Sequence, residues 1–496
     1  MKKLQEFINL LKETDNFVES QGDNLAIENI SYDSRDVQEN TLFFCKGLNF
    51  KDEYLVDAKE KGANSYISEK KMNVDLPYII VKDVRKAMME ISRFFYDFPD
   101  TKIKTIGVTG TKGKSSTVKY VKSILDSYLI KNGKKPAGII STINTFDGIE
   151  DISSSLTTPE AIMLYRYLNN AVNAGLEYMV IESSSQAFKY DRMNNIDLDV
   201  AVFLNIGEDH VSDIEHPTFE DYFNSKLKIF ERTQFAIYNK DADHIEKIEH
   251  SIQKNKAESE SFSTKVNAEA KLIDYSFLES GLKIKLDYKG EEIEVKIHQL
   301  GTYNIENVLA AVMIAKHFGV DNESIKEGLD NTEISGREEV FESNDKKYIM
   351  FVSYAHNELS FDKAYEFIEI KYPEYKIVSI FGNSGKMAKN RIEGNSRSAA
   401  KHSDHIIIVP EDSEYTEYDV VYERLAQEIG KYTDNFERAD SREDGIKKAF
   451  NDAKDKTVFF VAGKGSEDYQ KEYGKYIPIK SDTDVARDII EEYNNK

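Results

Sequence analysis

Residues Gly107–Lys119 read GVTGTKGKSSTVK, and the reading of this stretch decides the fold. Just before it, Lys102–Val108 (KIKTIGV) is a partly apolar run of strand character. After it the chain can continue as a helix. Gly110 and Gly113 permit a tight turn with backbone N–H groups pointing inward, the arrangement that cradles a phosphate. Lys114 is then placed to reach β/γ-phosphates, and the Ser115 hydroxyl can join a Mg²⁺ shell. Strand, glycine loop, Gly-Lys-Ser and helix in this order predict a nucleotide site rather than a lysine-rich surface turn. Val108 stands where the strict loop has glycine, so this is a variant phosphate loop and disfavours an ordinary kinase or GTPase.

Working outward, 496 residues are too many for one ordinary core, and two to four domains are expected. Charged residues make up 31% and the formal net charge is -22, which repels nucleic acid and anionic membrane as bulk partners. An anionic small substrate remains compatible, since it needs only a local basic site. The one cysteine, Cys45, allows no disulfide within the chain and fits a reducing cytoplasm. The start, MKKLQEFINLLKETDNF, reads as a short amphipathic helix rather than a secretory signal, and no stretch approaches a membrane-spanning apolar length.

Residues 1–98 read as a small α/β unit. Ile27–Asp33, Thr41–Lys46, Asn64–Ser68 and Tyr78–Val81 are expected as strands, Tyr54–Lys61 and Arg85–Phe95 as helices, with Gly62 as a C-cap. The Asp33-Ser34-Arg35 loop reads from its composition as a solvated turn. Phe98-Pro99-Asp100 marks the boundary to a second domain, 99–333. There the phosphate loop, a helix to about Leu129, and strands at Gly138–Ser141, Tyr178–Glu182, Val200–Asn205 and Phe235–Asn239 predict a doubly wound, mainly parallel sheet. Asn144–Leu156 is expected to be flexible, and Thr157-Thr158-Pro159-Glu160 to start a helix with threonine capping. Lys256–Thr264 is expected as a loop, followed by an inserted hairpin of Leu282–Tyr288 and Glu292–Ile297 and a helix from Gly301 to His317. Residues 334–496 restart the alternation as a Rossmann-like third domain.

Ligands of such sheets sit at the carboxyl ends of the strands. Glu182 ends one strand and Asp209-His210 follows another, so both are expected on the rim that carries Gly110–Ser116. A carboxylate and an imidazole beside a phosphate loop can make a divalent-cation site. Lys226 and Lys228, on a helix beginning near Thr218, read as solvated face residues. Three α/β units around such a loop fit an enzyme that closes domains over several substrates, and at this level a motor, a switch GTPase and a kinase stay open.

A chain-long series of motifs narrows the choice. TGTKGKSS (109–116), LTTPEA (156–161), ESSSQ (182–186) with Arg192, NIGEDH (205–210), YFNSKLKIF (222–230), GTYNIEN (301–307), SGREE (335–339), YAHN (354–357) and GKGSEDYQ (463–470) follow one another. This set resembles the Mur ligases of peptidoglycan precursor synthesis. Within them it is similar to the UDP-N-acetylmuramoyl-tripeptide synthetases, and SYDSR (31–35) with TLFFCKG (41–47) resembles the L-lysine-adding type. The resemblance implies a three-domain ligase: a UDP-substrate domain, a central ATP domain and a C-terminal amino-acid domain. Such enzymes activate a peptide carboxylate with ATP as an acyl phosphate, which the amine of an amino acid attacks through a tetrahedral intermediate, giving ADP and phosphate.

It further implies ATP contacts at Gly110, Thr111, Lys112, Gly113, Lys114, Ser115, Ser116, Asn304, Arg337 and His356. Ser115, Glu182 and His210 would hold Mg²⁺, supported by Lys226 as N6-carboxylysine; Lys114, Lys226, His210 and Glu182 would carry the chemistry. Ser34 matches the uridine site, and Thr157, Thr158, Ser184, Gln186 and Arg192 the muramoyl-dipeptide. Arg391, Asp412, Glu414, Gly463 and Glu467 match the amino-acid site. The implied substrates are UDP-N-acetylmuramoyl-L-Ala-D-Glu and a diamino acid, handled by a cytoplasmic monomer. Three departures stand out. Ser353 replaces an aspartate before Tyr354-Ala355-His356, and Ser466 replaces a histidine after Gly465. Glu411-Asp412-Ser413-Glu414 stands where the lysine-adding type resembles Asp-Asp-Pro-Asn and the diaminopimelate-adding type has Asn-Pro-Arg; this chain has neither the proline nor the arginine needed for a second carboxylate. Two acids there favour a cationic side chain, with L-lysine first and L-ornithine next.

Overall fold

The computed structural model describes residues 1–22, 24–47, 50–154, 156–207, 216–278, 281–332, 339–385 and 389–496. Three larger sheets follow one another along the chain. The first has five strands in the spatial order Phe17–Gln21, Tyr78–Val81, Ala63–Ser68, Thr41–Phe44, Asn29–Ser31, parallel except at its first pair. Helix Val84–Phe95 closes this unit. Asp97 and Phe98 then turn through positive φ, and a 3₁₀ turn at Pro99–Thr101 leads into the central sheet. Arg93 ties the junction together. It donates to Asp100 at 2.8 Å and to Asp197 at 2.5 Å, so helix and junction are held to the strand that starts at Leu198.

The central sheet has eleven strands. Its middle is parallel: Gly138–Ile140, Tyr178–Glu182, Lys104–Thr109, Leu198–Phe203, Thr233–Asn239, Glu258–Ser263 and Ala270–Leu278 lie side by side. These strands read as near-continuous apolar runs because both faces are covered. Successive side chains divide between two cores. Val108, Val180 and Val202 face the helices Lys114–Lys131 and Asn304–His317; Met179, Ile181, Ala201 and Phe203 face the opposite layer. Apolar residues recur along Lys114–Lys131 at Val118, Val121, Leu125 and Leu129, which is why that face packs inward.

Three expectations fail here. Asn144–Leu156 is not simply flexible: Asn144–Phe146 and Asp151–Ser153 form a hairpin that extends the sheet antiparallel from Gly138–Ile140. Its short polar strands hid this, since only Thr145 is buried in that pair. Lys256–Thr264 contains the parallel strand Glu258–Ser263; the run of Ser and Glu masked a strand that buries Ser261, Phe262 and Ser263. The inserted hairpin is a three-strand meander, Ala270–Leu278, Gly281–Tyr288 and Glu291–Ile297, continuous with the main sheet.

The last sheet has six strands, in the order Glu339–Glu342, Tyr348–Ser353, Thr457–Ala462, Lys376–Phe381, His405–Ile408, Phe436–Arg438, parallel after the first. Beyond the expected elements lie a hairpin, Tyr469–Glu472 with Lys475–Pro478, and a final helix Asp482–Asn494. Arg442 anchors that helix. Its guanidinium makes a two-point pair with Asp482 (2.8 and 2.6 Å) and donates to the Ala462 carbonyl.

Candidate active site

The Lys104–Thr109 strand delivers the glycine loop to the carboxyl edge of the parallel sheet, and Lys114–Lys131 leaves from it. Gly113 sits at φ +84°, and a Cβ there would come within 2.2 Å of Asn307 Oδ1. Only glycine fits. Asn307, unremarked in the sequence, also accepts from Thr117 Oγ1 (3.2 Å) and donates to Asn304 Oδ1 (3.2 Å), so the loop is braced by the helix that carries Asn304. Lys114 folds back, its ammonium donating to the Gly110 carbonyl at 2.9 Å. Lys226 is 1% exposed, not a solvated face residue. Its Nζ donates to the same Gly110 carbonyl at 2.8 Å and lies 4.7 Å from the Tyr222 ring.

Glu182, at the end of the neighbouring strand, is buried. Ser115 Oγ donates to one carboxylate oxygen (3.0 Å); the backbone N–H and hydroxyl of Thr142 donate to the other (2.9 and 3.0 Å). Thr142 carried no sequence signal, because the hairpin that presents it was not read. Among the described residues no group of three His, Cys, Asp or Glu side chains could hold a metal by itself. Glu182 and Ser115 are nonetheless hard oxygen donors at a phosphate loop, which suits Mg²⁺, an ion that keeps waters and takes few protein ligands. His210 and Arg337 lie outside the described residues.

A cleft of about 380 Å³ gathers most of the remaining expected residues. From the central sheet it takes Thr111, Lys112, Gly113, Lys114, Ser115, Thr157, Glu182, Ser184, Gln186, Arg192 and Lys226. From the last sheet it takes His356, Arg391, Asp412, Glu414, Gly463 and Glu467. Gly110, Ser116, Thr158, Asn304 and Ser34 are not on its wall. A larger groove of about 550 Å³ between helices Phe219–Leu227 and Ile245–Asn255 is lined by side chains of these helices and of the turn at Lys228 and Glu231, with no residue of the phosphate loop, so the smaller cleft is the candidate site.

Thr158 does not cap a helix: its hydroxyl donates to the Glu182 carbonyl at 2.7 Å, and Ala161–Ala174 starts after Glu160. Glu160 instead binds Arg192 (3.0 Å) and Lys46 (2.5 Å), linking the first sheet to the cleft wall. Burial opposes the Glu160 charge, but Arg192 and Lys46 hold its carboxyl below the usual range. Tyr32, 4.5 Å from the Lys46 ammonium, is pushed up to about 12 by burial and by Glu160. Ser34 lies in a 3₁₀ turn whose carbonyl accepts from Lys61, beside the mutual Asp33–Arg35 pair.

At the far end of the cleft two of the expected residues already have a partner. Asp412 is already engaged: Lys464, only 2% exposed, donates to it at 2.9 Å and also pairs with Glu467. Tyr354 donates to the other Glu467 oxygen at 3.1 Å. Lys464 was overlooked because it sits among glycines, which say nothing of burial. Glu411 was also passed over. Its carboxyl is pushed up to about 7 by burial, with Arg442 opposing and Asp412 adding. Gly463, at φ +116°, allows that carboxyl to lie where a Cβ would stand, 2.7 Å away. Across the cleft, His356 Nδ1 donates to the Tyr354 carbonyl (2.8 Å), leaving Nε2 to accept from Lys112, 3.5 Å away. Ser353 Oγ accepts from the Ala355 N–H at 3.2 Å.

The described helices include none long and apolar enough to cross a membrane. Residues 108–315 match the Mur ligase middle domain and 336–465 the Mur ligase glutamate ligase domain. The chain is 33% identical, over 99% of its length and 100% of the relative, to a UDP-N-acetylmuramyl-tripeptide synthetase of Lactococcus lactis subsp. cremoris. It is 34% identical to a UDP-N-acetylmuramoyl-L-alanyl-D-glutamate–L-lysine ligase of Enterococcus faecalis, covering 94% of this chain and 92% of that one. A solved UDP-N-acetylmuramoyl-L-alanyl-D-glutamate–2,6-diaminopimelate ligase superposes with a TM-score of 0.66 at 20% identity, over 98% of this chain and 99% of that one, a likeness of fold. The chain belongs to the Mur ligase family of ATP-dependent amide-bond-forming enzymes.

Proposed function

We propose that this ligase adds L-lysine to the D-glutamate of UDP-N-acetylmuramoyl-L-alanyl-D-glutamate through an acyl phosphate, releasing ADP and phosphate. The observation that carries the reading is one cleft with a phosphate loop at one end and Arg391 among Glu411, Asp412, Glu414 and Glu467 at the other. An amino acid with a cationic side chain suits that end: Arg391 takes its α-carboxylate and the acids its ammonium groups. The Enterococcus faecalis relative, an L-lysine ligase by name, supports the same choice. L-Ornithine, with the same charge on a side chain one methylene shorter, is the alternative.

In this reading the loop from Gly110 to Ser116, with Asn304, Arg337 and His356, binds ATP, and Lys114 swings from the Gly110 carbonyl to the phosphates. Ser115, Glu182 and His210 would hold Mg²⁺, which when bound neutralises charge on the phosphates and on the developing oxyanion. Lys226 is buried beside the loop; as N6-carboxylysine it would carry the negative charge that a cation site requires. Density ending at the Lys226 amine in a crystal of the active enzyme would contradict that assignment. Thr157, Thr158, Ser184, Gln186 and Arg192 position the acceptor carboxylate, Ser34 the uridine. We assign 1–98 to the UDP-substrate, 99–333 to ATP and 334–496 to the amino acid. Holding acyl phosphate and amine together replaces a bimolecular encounter with a local one, the main source of rate beside charge stabilisation. Incubation with the nucleotide, ATP and single amino acids, reading phosphate release and product mass, tests the proposal. A lysine adduct is expected; an ornithine adduct selects the alternative; no adduct with any diamino acid overturns both.

A further inference from the structure

Three side chains beside the cleft have no role in the assignments above. Ser185, on the cleft wall, opens the short helix Ser185–Lys189 next to Ser184 and Gln186. His216 is fully buried behind it, with Nε2 3.0 Å from Ser185 Oγ. On the other side, His216 Nδ1 lies 2.7 Å from Asp221 Oδ2. Asp221 belongs to the helix Phe219–Leu227, whose N-cap Thr218 accepts from the Asp221 N–H. Lys189 donates to the same Asp221 oxygen at 2.7 Å.

With His216 neutral, these contacts order the protons along the chain. An ionised carboxylate only accepts, so Nδ1 carries the proton of a neutral His216 and donates it to Asp221. Nε2 is then an acceptor, and the Ser185 hydroxyl donates to it. The remaining lone pairs of Ser185 Oγ are left to accept an N–H from the cleft, which is what an attacking amine presents. Asp221 and Lys189 balance each other while His216 is neutral; a second proton on His216 would be held directly by Asp221. The Tyr222 ring, edge-on with its centroid 5.3 Å from that of His216, packs against the imidazole.

We propose that Ser185, His216 and Asp221 form a proton relay for the attacking amine, with Ser185 as the group that touches it. The inference rests on the ligase reaction proposed above. As the C–N bond forms and the bond from carbonyl carbon to phosphate oxygen breaks, that electron pair leaves with phosphate. Before the attack the amino acid's ammonium gives one proton to Ser185 Oγ while the Ser185 proton passes to His216 Nε2; the extra proton that the attack leaves on nitrogen departs with the phosphate. Asp221 holds the imidazolium, which returns the proton to water after product leaves. His216 and Asp221 act through Ser185 and are positioning residues.

The test separates acyl-phosphate formation from amine attack in the full-length enzyme. With UDP-N-acetylmuramoyl-L-Ala-D-Glu and ATP, hydroxylamine replaces the amino acid in one arm and L-lysine or L-ornithine is supplied in the other. Hydroxylamine is unprotonated at neutral pH and has less need of a proton acceptor. S185A and H216Q should lower kcat for amide formation ~10²-fold, the usual size of general-base catalysis, with KM for the amino acid and the hydroxamate rate unchanged. S185A removes a single hydroxyl and keeps the test valid if H216Q folds poorly. Equal loss in both arms would make the trio structural and overturn the relay. No loss in the amine arm would assign the proton to another group and overturn it too. A wild-type enzyme that forms neither product would instead overturn the reaction on which the relay rests.

Discussion

Replacing Gly113 with alanine places a methyl group where the phosphate loop has no room. Two costs can be worked from the structure. At φ +84° an alanine is left-handed, which costs ~1–2 kcal/mol. Its Cβ would stand 2.2 Å from Asn307 Oδ1, so that side chain must rotate and give up its hydrogen bond from Thr117, worth about 1 kcal/mol. The sum is ~2–3 kcal/mol. A loop at the surface of the cleft can release this strain by opening when no nucleotide is bound. The cost then falls on ATP binding, and KM for ATP should rise ~30- to 150-fold. Initial-rate assays against ATP read the effect, while the thermal midpoint moves little. Removing the obstacle separates the two parts: G113A/N307A should lose less than the sum of the single variants, because the clash disappears and only the left-handed cost stays. A G113A enzyme with an unchanged KM for ATP would refute the reasoning, as would strict additivity in the double variant.

Three further outcomes follow from other contacts. Glu411, pushed up to about 7, stays neutral at pH 6 and ionises through pH 7 to 8, so KM for a cationic amino acid should fall over that interval and E411Q should flatten the profile. The sign for folding is opposite: the raised pKa stabilises the fold below about pH 4.5, and that contribution is lost as pH rises through 7. R442M leaves Asp482 buried without its partner and should cost ~3–5 kcal/mol in urea unfolding, largely restored in R442M/D482L. K46M breaks the pair with Glu160 that links the first sheet to Arg192, and should raise KM for the UDP-nucleotide ~10-fold or more while KM for ATP stays constant in steady-state kinetics.

The legible parts of this fold are those where local chemistry and burial agree. Tyr78–Val81 and Tyr178–Glu182 are apolar runs buried throughout, and their bounds were readable to the residue. Glu258–Ser263 and the Asn144–Ser153 hairpin were not, because strands rich in polar residues are placed by pairing with their neighbours rather than by hydrophobicity. At the site, Gly113, Lys114 and Glu182 declared themselves by spacing. Lys226 did not: four helical positions separate it from Tyr222, and nothing local distinguishes a buried lysine from a solvated one. Lys464, Thr142, Glu411 and the Ser185–His216–Asp221 chain were hidden for the same reason. Each gains its meaning from a partner about thirty or more residues away, and a long-range pair leaves no mark on a single sequence.

The most direct measurement is a competition. The purified enzyme is given UDP-N-acetylmuramoyl-L-Ala-D-Glu, ATP and equal amounts of L-lysine, L-ornithine and diaminopimelate, and the nucleotide product is weighed by mass spectrometry alongside phosphate release. The acid-rich end of the cleft around Arg391 predicts a lysine adduct formed with one phosphate per product. A diaminopimelate adduct, or ATP turnover without any adduct, would contradict it.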